Sequence, residues 1–244
     1  MTVSTPQSPP TARRESWWQR PWTGPLLVLV FAFVAFSLPP YLTFDRSLSR
    51  VPDPGFAPHY PLLVAHVVCG SVAILICGFQ VWPWFRRTRP ALHRRLGRVY
   101  VFAGVLPAGL TGLVIGATSP FGPVARVSNV MLSALWLLCT IAGWRMARRR
   151  RFGDHRRWMI RSFALTLSIV LNRVLGVILY LVLSPRLDTT FRGDDTLLTQ
   201  TIAGLGTWLG WTLSLLAAQW WLDRHPLDRE GVVAAVPQAD HDGE

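Results

Sequence analysis

The chain has no lysine. All 25 basic residues are arginine, set against only 13 acidic ones, and none of the acidic residues lies well inside an apolar stretch. A carboxylate relay for protons or cations within a membrane therefore has nothing to run on. The cysteines, Cys69, Cys77 and Cys139, are odd in number, lack CxxC spacing and fall inside apolar stretches. That excludes a disulfide framework and a cysteine zinc site, and no other metal site is expected; the thiols read as small packing residues. There is also no GxGxxG, P-loop, nucleophile elbow or pair of carboxylates. A soluble-type catalytic site is thus missing, and whether the chain is an enzyme stays open.

Apolar length is what the chain does have. Half of its residues are hydrophobic and twelve are Trp. Six blocks approach the length of a bilayer span: roughly 25–44, 61–85, 97–118, 124–144, 158–183 and 197–222. About 20 mainly apolar residues cross the hydrocarbon core as a helix, so the sequence predicts an all-α, polytopic transmembrane bundle of six helices over residues 25–222. Residues 1–24, rich in Pro, Ser and Thr, and the tail 223–244 are expected to be disordered by composition. No cleaved signal peptide is apparent, so the first span should stay attached.

The arginines give an orientation. Three precede the first span, six lie between spans two and three, eight at and after the end of span four, and two after span six. The alternate loops and their edges hold only Arg46, Arg50, Arg126, Arg186 and Arg192. The positive-inside bias places both termini in the cytoplasm of a bacterial inner membrane protein. The net charge of +12 is then mostly a topology signal. Anionic lipid headgroups are the natural partners and nucleic acid is not, since that would need a basic folded face outside the membrane.

Small residues predict close helix contacts: Gly104, Ala108, Gly112 and Gly116 in span three, Gly206 and Gly210 in span six. Pro39-Pro40 and Pro107 should bend spans one and three, because each proline removes a backbone hydrogen bond. Trp17, Trp18, Trp22, Trp82, Trp84, Trp144, Trp158, Trp220 and Trp221 cluster at the predicted cytoplasmic ends as an aromatic belt.

Within the spans the polar residues of interest are His66, near the outer end of span two, and Asn172-Arg173, in the middle to outer part of span five. Gln80, Gln200 and Gln219 lie closer to the interfaces. An arginine near the bilayer centre costs at least ~2.5–3.5 kcal/mol, and no intramembrane carboxylate can pair with Arg173. It either caps backbone carbonyls, Asn172 and water, or meets an anion such as a lipid phosphate, a carboxylate substrate or a haem propionate. His66 is either an interfacial histidine or a ligand, with Gly70 one turn on leaving room for a flat group.

The most informative feature is a repeated triplet. His93-Arg94-Arg95 and His155-Arg156-Arg157 each follow an arginine-rich segment, precede an apolar span, and are followed by a further arginine and a Phe-Ala step, Phe102-Ala103 and Phe163-Ala164. A duplicated helical hairpin is implied, with spans two and three repeated in parallel by spans four and five, and with both histidines in the first turns of their helices. Thr88 and Pro90 mark the first start, and Asp154 is the expected N-cap of the second. Three readings compete: topogenic charge touching lipid headgroups, an anion or phosphate site at helix N-termini, and haem ligation by the histidines.

At these same residues the chain resembles a known family. His66-x-x-x-Gly70, Gln80, His93-Arg94-Arg95-Leu96-Gly97-Arg98-Val99-Tyr100 and His155-Arg156-Arg157-Trp158-Met159-Ile160-Arg161-Ser162 look like the bacterial membrane proteins grouped as domain of unknown function number 2306. The likeness covers roughly residues 60–180 and leaves the first span, the last span and the tails outside. It implies a polytopic membrane protein and assigns no activity. Two functions are carried from the residues: a haem-binding or redox protein, with haem b as candidate cofactor held by His66, His93, His155 and Arg173; and a carrier or binder of an anionic or lipidic molecule using Arg94, Arg95, Arg156, Arg157, Arg173 and Asn172. A third is a non-catalytic subunit of a membrane complex, partnered by another membrane protein.

Overall fold

The computed structural model describes residues 22–225. The expectations for the N-terminal stretch up to Pro21, including Trp17 and Trp18, and for the tail from Pro226 lie outside the described residues. All regular structure among those described is helical. Five helices are long and apolar enough to cross a membrane: His59–Gln80, Pro90–Ala117, Gly122–Arg148, Phe152–Arg186 and Asp195–Arg224.

The first predicted span is shorter than the sequence suggests. Helix α1 (Thr23–Ser37) has 15 residues, and a four-residue helix α2 (Pro39–Leu42) follows. The break falls at Leu38, whose N–H still donates to the Val34 carbonyl at 2.9 Å. Pro39 and Pro40 offer no N–H, so the α1 ladder cannot continue through them. At 1.5 Å per residue α1 is about 22 Å long, less than the ~30 Å hydrocarbon core. Six full-length spans are therefore not what the described residues contain; they hold five and one shorter apolar helix, which rests on α3 (His59–Gln80).

The chain then forms α4 (Pro83–Thr88), α5 (Pro90–Val99), a π-helical segment over Tyr100–Val105, and α6 (Leu106–Ala117). These last three make one span. Its π-turn has a local cause. Pro107 has no N–H, and its ring crowds the carbonyl four residues back, so the preceding turn widens and the Leu106 N–H reaches Val101 O, five residues back. The bend expected from Pro107 thus takes the form of a π-bulge. Helices α7 (Gly122–Arg148), α8 (Phe152–Leu183) and α9 (Asp195–Arg224) complete the bundle. Helix α7 sits centrally against α6, α8 and α9, and α8 and α9 share the most extensive contact.

In lipid the apolar effect does not drive helices together, so close packing and hydrogen bonds must. The small residues do this. A methyl at Gly104 would lie 3.0 Å from Ala73 on α3, at Gly109 2.6 Å from Leu137 on α7, and at Gly116 3.0 Å from Asn129. Gly206 and Gly210 of α9 receive Asn172 of α8, at 2.9 and 3.0 Å. Gly122 differs, because its φ of +87° suits glycine and its free face admits Gln200 at the start of α7.

Candidate functional site

The two triplets are built alike. His93 is the fourth residue of α5 and His155 the fourth of α8. Each backbone N–H closes the first turn onto an arginine carbonyl, Arg89 and Arg151 respectively, at 2.9 Å. Asp154 is not the N-cap of α8; Arg151 holds that place, and Asp154 sits inside the first turn with its carboxylate 2.6 Å from the Arg151 guanidinium. Each histidine is also tied to the helix before its turn. The Gln80 side-chain N–H donates to the His93 carbonyl at 3.2 Å, and His155 Nδ1 lies 2.8 Å from the Gly143 carbonyl. A carbonyl only accepts, so His155 carries its proton on Nδ1 and presents Nε2 to its surroundings.

The two imidazoles neighbour one another: His155, Arg86 and Arg94 all lie within electrostatic reach of the His93 ring. His93 Nδ1 is buried and has no hydrogen-bond partner, although the residue as a whole is half-buried. Arg94 and Arg95 are exposed, while Arg156 and Arg157 are half-buried. The Arg156 guanidinium lies 5.2 Å over the Trp221 ring of α9. One turn and a half further along α8, Arg161 donates to Gln219 at 2.8 Å, and Gln219 donates in turn to Asp223 at 2.8 Å. The arginine-rich end of the bundle therefore gathers two helix N-termini, two histidines and several guanidinium groups. Asp154 is engaged by Arg151, and Asp223 by Gln219.

His66 stands apart. Its Nδ1 is 2.8 Å from the Ala108 carbonyl of α6, which fixes the same tautomer as in His155. A methyl at Gly112 would lie 2.8 Å from Ser133 Oγ and 3.2 Å from His66 Cε1, so α3, α6 and α7 meet here. Gly70 has open space where its side chain would be, as the sequence suggested. Along α3, His66 lies 14 residues, roughly 21 Å, from Gln80, which touches His93. The structure thus sets His93 within electrostatic reach of His155 and keeps His66 at another depth. No cluster of three or more His, Cys, Asp or Glu side chains suited to a metal ion occurs among the described residues.

Asn172 and Arg173 also separate. Consecutive residues of a helix point about 100° apart. Asn172 faces the glycines of α9, and Arg173 is exposed on the flank of α8, with Tyr41 and Arg50 within electrostatic reach. They cannot grip one ligand together.

A buried cluster that the sequence did not single out links three spans. The Tyr100 hydroxyl lies 2.7 Å from Ser162 Oγ and 2.8 Å from Thr166 Oγ1. Trp136 donates to Thr166 Oγ1 at 2.9 Å, and Thr140 Oγ1 is 2.7 Å from Ser162 Oγ. Tyr100, Thr140 and Ser162 are at most 1% exposed, so these bonds are closed to water and to lipid. The network is satisfied internally and serves as polar glue between α7, α8 and the π-turn. Tyr100 and Ser162 end the two sequence motifs; nothing in the spacing of Trp136, Thr140 and Thr166 announces that all five converge.

A family model described as predicted membrane protein (DUF2306) matches residues 63–222. The match extends through α9, so the last span belongs with the rest rather than outside it. No curated protein and no solved structure matches the chain.

Proposed function

Given that the chain belongs to the DUF2306 family of predicted membrane proteins, we propose that its arginine-rich end binds an anionic group, of the phosphate kind carried by lipid headgroups and by small metabolites. One observation carries this reading: the buried, unpartnered Nδ1 of His93, beside His155 and Arg94 at the start of two helices. Helix N-termini attract anions through their free N–H groups and dipoles. Guanidinium groups add charge and paired donors. In this reading Arg94, Arg95, Arg156 and Arg157 attract the anion, and His93 and His155 orient it. The end in question faces the cytoplasm of a bacterial inner membrane, with α1 and α2 together making a kinked sixth crossing and both termini inside.

The test is a titration of the full chain in neutral detergent with inorganic phosphate, pyrophosphate and phosphatidylglycerol, read by thermal unfolding and native mass spectrometry. Stabilisation that disappears in Arg94→Gln/Arg156→Gln supports the reading. Equal response of wild type and variant to all three ligands removes it. Response to phosphatidylglycerol alone assigns the anion to lipid, and response to phosphate assigns it to a soluble ligand.

Haem is the second reading, favoured by the tautomers of His66 and His155. Axial histidines are usually held through Nδ1–H donated to an acceptor, with Nε2 directed to the metal. Any haem would be bound near His66 or between His93 and His155, since roughly 21 Å prevents one group from bridging both.

A further inference from the structure

We propose that Arg50 and Arg173 together hold the anionic headgroup of a phospholipid, seated with its acyl chains against the corner between α1 and α2. The site lies at the other side of the membrane from the triplets and does not rest on the reading given for them.

The corner forms a shallow, open groove of about 500 Å³ lined by Ala35, Phe36, Pro39, Pro40, Thr43, Leu48 and Arg50. Its existence follows from the break at Leu38: the two prolines turn the chain away from the α1 axis, and the loop carrying Leu48 and Arg50 returns beside Phe36. The Arg50 guanidinium lies 3.8 Å over the Phe36 ring. Stacking on the ring uses the face of the guanidinium and leaves its edge N–H groups free to donate.

Arg173 of α8, outside the lining of this groove, places a second guanidinium within electrostatic reach of Arg50. Ten residues, about 15 Å, separate it from the end of α8, so its backbone is well below the surface and its side chain can extend outward. Its neighbours in electrostatic reach are Tyr41, buried against Leu63 and Val64, and Arg50 itself. Two cations thus approach each other at the flank of a bundle, and among the described residues neither forms an ion pair with a carboxylate. A cation inside a span facing another in the loop at its edge favours an anion between them. Val174, Val177, Ile178 and Leu181 on the surrounding face of α8 are exposed and apolar. An anion with apolar chains satisfies both the arginines and these walls, whereas a free phosphate satisfies only the arginines.

The experiment measures binding of phosphatidylglycerol and phosphatidylcholine to the full chain by native mass spectrometry, with inorganic phosphate as competitor. It is run in wild type and in a background carrying Arg94→Gln, Arg95→Gln, Arg156→Gln and Arg157→Gln, which removes the anion site proposed at the opposite end; the arginines left there are common to every variant compared. The background protein should still prefer phosphatidylglycerol, and Arg50→Gln or Arg173→Gln should each weaken that binding by roughly tenfold or more, the loss of one charge-assisted contact. Arg173→Lys should restore part of it. Arg50 is in an exposed loop, so Arg50→Gln carries the test if Arg173→Gln fails to fold. Equal binding of the two lipids in the background protein, indifference to Arg50→Gln, or displacement of the lipid by millimolar phosphate would each overturn the proposal.

Discussion

His155 and Gly143 close the hairpin between α7 and α8, with Nδ1 of the one 2.8 Å from the carbonyl oxygen of the other across a separation of twelve residues. The hairpin between α3 and α5 closes at nearly the same separation, thirteen, but with the roles changed: Gln80 reaches across and His93 supplies only its backbone carbonyl. The second histidine is therefore structurally engaged through its ring, and the first is not.

His155→Leu should accordingly destabilise the protein by about 0.5–1.5 kcal/mol, because it removes the inter-helix bond to the Gly143 carbonyl, which keeps only its bond within the helix. His93→Leu should cost less than that, yet abolish anion-dependent stabilisation. Unfolding in mixed micelles with and without pyrophosphate measures both effects. The reverse order of stabilities would show that the rings are placed otherwise.

Tyr100→Phe removes two hydroxyl contacts, but Ser162 keeps Thr140 and Thr166 keeps Trp136. A loss of about 0.5–1 kcal/mol is expected. Thr166→Val should cost more, about 1–3 kcal/mol, because it strands the buried Trp136 N–H as well. Denaturant titrations of the two variants side by side give the comparison.

Glycine substitutions should divide by surroundings. Gly109→Ala forces a methyl to within 2.6 Å of Leu137 and should lower stability by about 1–3 kcal/mol. Gly176→Ala meets nothing within 4 Å and should be neutral or slightly stabilising, since alanine loses less backbone entropy in a helix. Melting temperatures of the two purified variants decide the matter.

If haem b is bound, protein from haem-supplemented cells has a Soret band that shifts on reduction with dithionite. His66→Ala and the pair His93→Ala/His155→Ala then identify which location holds it: one of them removes the band and the other leaves it. Colourless protein disposes of the haem reading.

The sequence by itself determined the class of the protein. A run of about 20 apolar residues has few alternatives to a membrane helix, because every backbone group in lipid must bond within the segment. That is why His66, Gly104, His93 and His155 fall on the helices their sequence predicts; the first apolar stretch, 25–44, is long enough for a span, but Pro39 and Pro40 divide its helix at Leu38. Tertiary structure decided what local pattern cannot express. Asn172 and Arg173 are adjacent in sequence and mid-span by hydropathy, yet the helical turn sends one to the glycines of α9 and the other toward Arg50. Tyr100, Trp136, Thr140, Ser162 and Thr166 are each unremarkable on their own helices, and they meet only because the π-turn before Pro107 and the crossing of α7 and α8 bring three surfaces together. Periodicity along one helix fixes which residues share its face; which face meets which is set by the packing of the whole bundle.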